Sequence, residues 1–263
     1  MDPLYRPPLA ILGLLDRAFA LLRRHALTLF PIAAAFLLPS IVVSALVPLV
    51  PTLTLLVTLV SMVCSTIASG ALIFACDRAL RDESVSIGAA FRGGRGSYWR
   101  IFSVSLRQGF AILLLILPTA IVAAWQSSYI VAALAAIVGL LGALLLSTRW
   151  MVAETIVVLE RQGAGEAMRR SRALVARRFW PSFAVALISG LLVGALTLLP
   201  VLLINYMGVV GLGETIGTSL ISAIGSIFTV PFGALVQLLL YNDLRSRFEG
   251  TDLEAAAAAL GAR

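Results

Sequence analysis

The chain has no lysine, a single histidine (His25), two cysteines and only 13% charged residues over 263 positions. Each shortage closes off a class of function. Neither cysteine stands at a metal-ligand spacing from the one histidine, so no metal site is expected. The sequence carries no GxSxG, HExxH or phosphate-loop pattern, and the loops without arginine hold one acid, Glu214, and no nucleophile–base pair. No catalytic residue, metal or cofactor is therefore expected, and the chain reads as a non-enzyme. Cys64 and Cys76 share one apolar stretch, where twelve residues of helix would hold them about 18 Å apart, too far for a disulfide. They read as small apolar fillers. The scarcity of charge also excludes a soluble domain of this length, which needs a polar skin.

What is present is apolar residue in long runs: 60% of positions are hydrophobic and the mean hydropathy is +1.01. Six stretches are long enough to cross a bilayer, which takes about 20 apolar residues. They are Ala26–Val50, Thr52–Cys76, Ile101–Ala124, Tyr129–Trp150, Ser182–Ile204 and Gly217–Tyr241. The runs are continuous rather than alternating, which argues for helices and against barrel strands. The expected class is all-α: one polytopic membrane domain over 1–247, then a short tail over 248–263 with a capping box at Thr251–Glu254. Asp16, Arg17, Arg23 and Arg24 interrupt the first thirty residues, so these do not read as a cleavable signal.

Charge placement orients the spans. Val50–Thr52, Trp125–Ser128 and Asn205–Ile216 contain no arginine, whereas the segments on the other side hold eighteen of the twenty. The positive-inside rule puts both termini and both long loops in the cytoplasm. A pI near 10.4 then reflects cytoplasmic arginine rather than a nucleic-acid partner.

The basic strips resemble one another. "ILGLLDRAFALLRRH", "SIGAAFRGGRGSYW" and "AGEAMRRSRALVARRFW" each carry a glycine near the start, an apolar stripe, arginines and a bulky ring, with Gly13, Gly88 and Gly165 at spacings of 75 and 77 residues. The pattern reads as three weak repeats, each a basic amphipathic interfacial helix followed by a helical hairpin. In the third strip Ala164, Ala167, Met168, Ser171, Leu174, Val175 and Phe179 share a face. Such a helix suits the cytoplasmic membrane interface, its apolar face in the acyl boundary and its guanidinium groups on lipid phosphate. Arg92, Arg95, Arg169, Arg170, Arg172, Arg177 and Arg178 are the candidates for binding anionic lipid, or a partner protein in its place.

Polar groups within spans are few: Arg107, Gln108, Arg149, Glu154, Asn205 and Gln237. Arg149 is expected at the inner headgroups and Glu154 on a cytoplasmic extension of the fourth helix. Asp243 or Asp77 is the expected partner of Arg149, and an Arg149–Asp243 pair would tie the fourth span to the sixth. Gly190 and Gly194 form a GxxxG motif that would admit a neighbouring helix. Pro39, Pro118, Pro200 and Pro231 would kink their spans.

Two stretches carry a family resemblance. Arg149–Phe183 includes Arg149–Trp150, Leu159–Glu160, Ala167, Arg170–Ser171, Leu174 and Phe179–Trp180; Leu238–Glu254 includes Tyr241, Asp243–Leu244–Arg245, Arg247, Glu249–Gly250 and Asp252–Leu253–Glu254. Together they resemble the bacterial six-span proteins named for the membrane domain of glycerophosphoryl diester phosphodiesterases. That name comes from chains in which such a region is fused to a soluble enzyme domain needing histidines and an acid cluster. The resemblance thus implies a membrane region alone and carries over no catalytic residue. The functional expectation is a membrane-embedded accessory or scaffold protein that binds anionic lipid or a partner at the cytoplasmic face. The rival is a small transporter with a site between the repeats.

Overall fold

A computed structural model describes residues 11–44, 54–125, 128–207 and 212–249. Regular structure among the described residues is entirely helical: α1 (Ile11–Arg24), α2 (Ala26–Ser44), α3 (Thr54–Leu80), α4 (Ile87–Arg95), α5 (Tyr98–Trp125), α6 (Tyr129–Arg149), α7 (Ala153–Leu159), α8 (Ala164–Ala176), α9 (Phe179–Tyr206) and α10 (Leu212–Glu249). The turn expected at Val50–Thr52, part of the glycine-rich loop and the capping box of the tail lie outside the described residues. Five helices are long and apolar enough to cross a membrane, or six if α1 and α2, bent by 85°, count as one broken span. The prolines sit inside α2, α5, α9 and α10 without ending them, as membrane helices allow when neighbours satisfy the freed backbone groups.

Helix α2 packs on α3, α5 on α6, and α9 on α10, with α10 also touching α1, α2 and α3. The core gathers at one end of this bundle, where α3 and α10 finish and α5 and α9 begin. Ile73 and Cys76 of α3, Ile101 and Val104 of α5, and Leu235, Leu238 and Tyr241 of α10 are fully or almost fully buried there. The opposite ends of α5, α6 and α9 display exposed leucines such as Leu114, Leu140 and Leu199, the surface a lipid environment accommodates without penalty. Short α7 runs through the core with Ala153, Thr155, Ile156, Val157 and Val158 all buried.

The amphipathic helices use their apolar faces differently from the lipid-immersed arrangement expected of them. In α8, Ala164, Ala167, Ser171, Leu174 and Val175 are buried, and the helix packs against α5, α6, α7, α9 and α10. Leu14, Ala18 and Leu22 of α1 are likewise buried in the protein. A period of 3.6 identifies an apolar face; here protein rather than acyl chain covers it. Helix α4 begins at Ser86, whose hydroxyl accepts from the Ala89 amide at 3.3 Å. The α3–α4 loop turns through Asp82 at φ 58°, which puts its carboxylate 3.1 Å from Arg24 and 3.7 Å from His25 Nε2 at the α1–α2 bend.

Close helix approach also falls elsewhere than expected. A Cβ at Gly190 or Gly194 would meet nothing within 4 Å, so this GxxxG admits no neighbouring helix. A close backbone approach lies between α3 and α4: a Cβ at Gly94 would stand 2.7 Å from the Ala71 nitrogen and the Gly70 carbonyl carbon. Gly190→Ala and Gly194→Ala should therefore be harmless, or stabilise by up to about 1 kcal/mol through better helix propensity. Unfolding of each variant in mixed detergent micelles checks this, and a loss above about 1 kcal/mol would show an unseen packing role.

Candidate functional site

Three polar arrangements occupy the end of the bundle that holds the core. The first centres on Glu160, the residue that closes α7. Its Oε1 accepts from Arg170 Nε at 2.8 Å and from the Tyr241 hydroxyl at 2.5 Å. Its Oε2 lies 2.7 Å from Arg170 Nε and accepts from Gln162 Nε2 at 2.9 Å. Arg245 Nη1 donates to the Tyr241 oxygen at 3.3 Å. One carboxylate thereby joins the α7–α8 turn to α8 and to α10, and both of its oxygens face donors. Two backbone carbonyls extend the joint: Ser171 Oγ donates to Arg149 O at 3.0 Å, and Arg100 donates to the carbonyl of Arg161, a residue held at φ 55°.

Asp243 does not pair with Arg149. Its carboxylate accepts from Arg247 Nε at 3.0 Å and lies 3.9 Å from Arg178 Nη1. Arg149 ends α6 with its side chain exposed, and its contribution to the joint is its carbonyl. One turn of α10 brings Arg247 to Asp243 without ordering a second helix, which is why the local partner prevails. Arg149→Ala and Asp243→Ala should be additive within about 0.5 kcal/mol in a double-mutant cycle; a larger coupling would restore the pair expected from sequence.

The second arrangement is the arginine surface. Of the seven arginines singled out by sequence, Arg170 and Arg178 face the carboxylates just described. Arg172 lies 5.9 Å from the Trp150 ring centre and Arg177 lies 4.0 Å from that of Phe248, cation–π contacts that leave their charge uncompensated. Arg92, Arg95 and Arg169 are exposed. No carboxylate within ion-pair distance of these five is found among the described residues. Arg95 borders a cleft of about 370 Å³ with Tyr98 and Trp99. Trp99 and Trp180, at the first turns of α5 and α9, are each 72% exposed. Arg107 reaches back toward the arginine-rich end: its guanidinium lies against α8 at Gly165.

The third arrangement was missed in the sequence. Glu154, expected on a cytoplasmic extension of the fourth helix, accepts from Ser105 Oγ of α5 at 3.1 Å and from Ser69 Oγ of α3. It borders a cavity of about 310 Å³ shared with Gln108, Ser147, Ser189 and Gln237. Ser69 and Ser105 were the available signal, but each shares its stretch with other hydroxyls, Ser65 and Thr66 or Ser103, and three separate helices had to be brought together for it to mean anything. Among the described residues no group of three or more His, Cys, Asp or Glu side chains could hold a metal ion.

Long apolar helices, a polar joint at one end and an unneutralised arginine surface beside it define an all-α, multi-pass membrane protein. The chain belongs to the family described as Domain of unknown function (DUF8558), which matches residues 97–249. That stretch takes in α5 to α10, and with them the Glu160 joint. No curated protein and no solved structure matches the chain.

Proposed function

We propose that this protein is a non-enzymatic accessory or scaffold protein of a bacterial cytoplasmic membrane, and that its arginine-rich end lies on the cytoplasmic side and binds anionic lipid. The observation that carries this reading is the set of five arginines, Arg92, Arg95, Arg169, Arg172 and Arg177, that have no carboxylate partner among the described residues and stand beside exposed Trp99 and Trp180. Tryptophan rings settle at headgroup level and guanidinium forks take lipid phosphate. In this reading α1, α4 and α8 are the interfacial members of three repeated units, each leading into a helical hairpin. The protein covers their apolar faces and their arginines point to the headgroups. The likeness to the membrane region of glycerophosphoryl diester phosphodiesterases accords with such a role, as a membrane part that works without a catalytic domain.

Surface attraction of this kind amounts to about 1 kcal/mol per arginine and decays over a Debye length of about 8–10 Å near physiological ionic strength. The full chain should unfold at higher temperature in nanodiscs containing phosphatidylglycerol than in phosphatidylcholine alone. The difference should shrink in 1 M salt, where the Debye length is about 3 Å, and should largely vanish when the five arginines are replaced by glutamine. Equal unfolding in both lipids would refute the reading.

A second reading, a small transporter, is favoured by one observation: the polar cavity bordered by Glu154, Gln108 and Gln237 between α5, α6, α7, α9 and α10. An ionisable group within spans is a functional candidate by default. Uptake into proteoliposomes that depends on Glu154 would favour this reading over the scaffold.

A further inference from the structure

A wide apolar cleft lies away from the Glu160 joint and from the five surface arginines. It encloses about 740 Å³ between α1, α2, α9 and α10. Phe19 and Leu22 of α1, Phe30 of α2, Leu196 of α9, and Phe228 and Phe232 of α10 form its walls. The rings brace one another across it, Phe19 against Phe232 at 6.3 Å and Phe30 against Phe228 at 4.6 Å between centres. Polar side chains on the lining are confined to Thr229 and Arg23.

The placement of these parts is specific. Helix α1 turns 85° from α2, so its last turn lies across the arginine-rich end of the cleft while α2, α9 and α10 carry the walls along the bundle. Arg23 therefore stands at the headgroup end and the phenylalanines and leucines stand at acyl-chain depth. The neighbouring Arg24 is engaged by Asp82 at 3.1 Å; Arg23 is exposed and has no acidic partner among the described residues. An apolar cleft with one cation at its rim complements an amphiphile with an anionic end.

We infer that this cleft holds one anionic phospholipid, with an acyl chain between α2, α9 and α10 and the phosphate on Arg23. The assignment rests on the anionic-lipid reading above and adds to it a place, a stoichiometry and a role for the chain as well as the headgroup. A polypeptide occupant fits less well. A helix about 10 Å across would fill the cleft in fewer than about two turns, and a non-helical segment would find almost no partners for its backbone N–H and C=O groups on these walls. An alkyl chain needs none. Water is disfavoured in a cavity lined by leucine and phenylalanine.

Native mass spectrometry of the full chain tests this, using phosphatidylglycerol, phosphatidylcholine with the same acyl chains, and glycerol phosphate as the headgroup alone. The wild type should retain one phosphatidylglycerol per chain and prefer it to phosphatidylcholine by about fivefold, the ratio one arginine near an anionic headgroup confers. Glycerol phosphate should not displace it. Arg23→Gln, an exposed substitution that leaves the fold intact, should remove the preference. Ala26→Phe with Leu196→Trp narrows the cleft and should lower retention of both lipids at least tenfold. Unchanged preference in Arg23→Gln overturns the assignment even if the cleft-filling variant fails to fold. So does a dimer that dissociates on Leu196→Trp, since a second copy would then be the occupant. Loss of the bound lipid with the nanodisc effect preserved would refute the cleft and spare the surface reading; the reverse pattern would refute the surface and spare the cleft.

Discussion

Glu160→Ala is expected to destabilise the protein by about 3 kcal/mol or more, because it removes one member of a largely buried charge pair. The Glu160 side chain is 12% exposed and that of Arg170 is 30% exposed, so solvent relieves part of the loss and places it at the lower end of the range for buried pairs. Two further donors also lose their acceptor: the hydroxyl of Tyr241, whose side chain is fully buried, and the amide of Gln162. An unsatisfied buried hydroxyl adds roughly 1–3 kcal/mol on its own. Glu160→Gln should recover part of the loss, since its amide oxygen still accepts while its charge is gone. Arg170→Ala on top of Glu160→Ala should add little, because the pair acts as one unit. Denaturation in mixed micelles reads all of these; a loss below about 1 kcal/mol for Glu160→Ala would mean that the joint is solvated and holds nothing together.

Gly94→Ala should cost about 2–3 kcal/mol, near the top of the usual range for overpacking. A new methyl would press on the backbone of Gly70 and Ala71 at 2.7 Å, and a helix backbone cannot rotate aside as a side chain can. The strain would push α4 off α3, and with it Ala90, which is buried between them. Gly88→Ala is the control on the same helix, since a Cβ there meets nothing within 4 Å. Equal unfolding midpoints for the two variants would show that α4 does not pack as closely as its backbone indicates.

Much of the helical layout was legible because its physics is local. Continuous apolar runs called for helices at 101–124 and 129–150, and helices occupy Tyr98–Trp125 and Tyr129–Arg149. The period in "AGEAMRRSRALVA" identified the face of α8 whose Ala164, Ala167, Ser171, Leu174 and Val175 are buried. What covers that face was not legible, since lipid and protein select the same residue types. Nor was the Glu160–Tyr241 contact, which spans 81 residues. Asp243 shows the limit from the other side: sequence placed it near the end of a long helix and the i,i+4 spacing to Arg247 was there to read, but the approach of Arg178 needed the assembled helices. Gly190 and Gly194 show that a GxxxG spacing states an ability to pack closely and does not name the helix that does so. Gly94 has no glycine four residues away in α4; the glycine it packs against is Gly70 of α3, across the interface.

The central claim is that the arginine-rich end faces the cytoplasm, where anionic lipid and the inner headgroups meet it. Reporter fusions in living cells test this most directly, one placed at Arg95, one after Arg247 and one at Ser128 in the arginine-free turn between α5 and α6. A cytoplasmic signal at Arg95 and after Arg247, with an external signal at Ser128, is the expected result; an external signal at Arg95 would contradict the orientation and the lipid-binding role built on it.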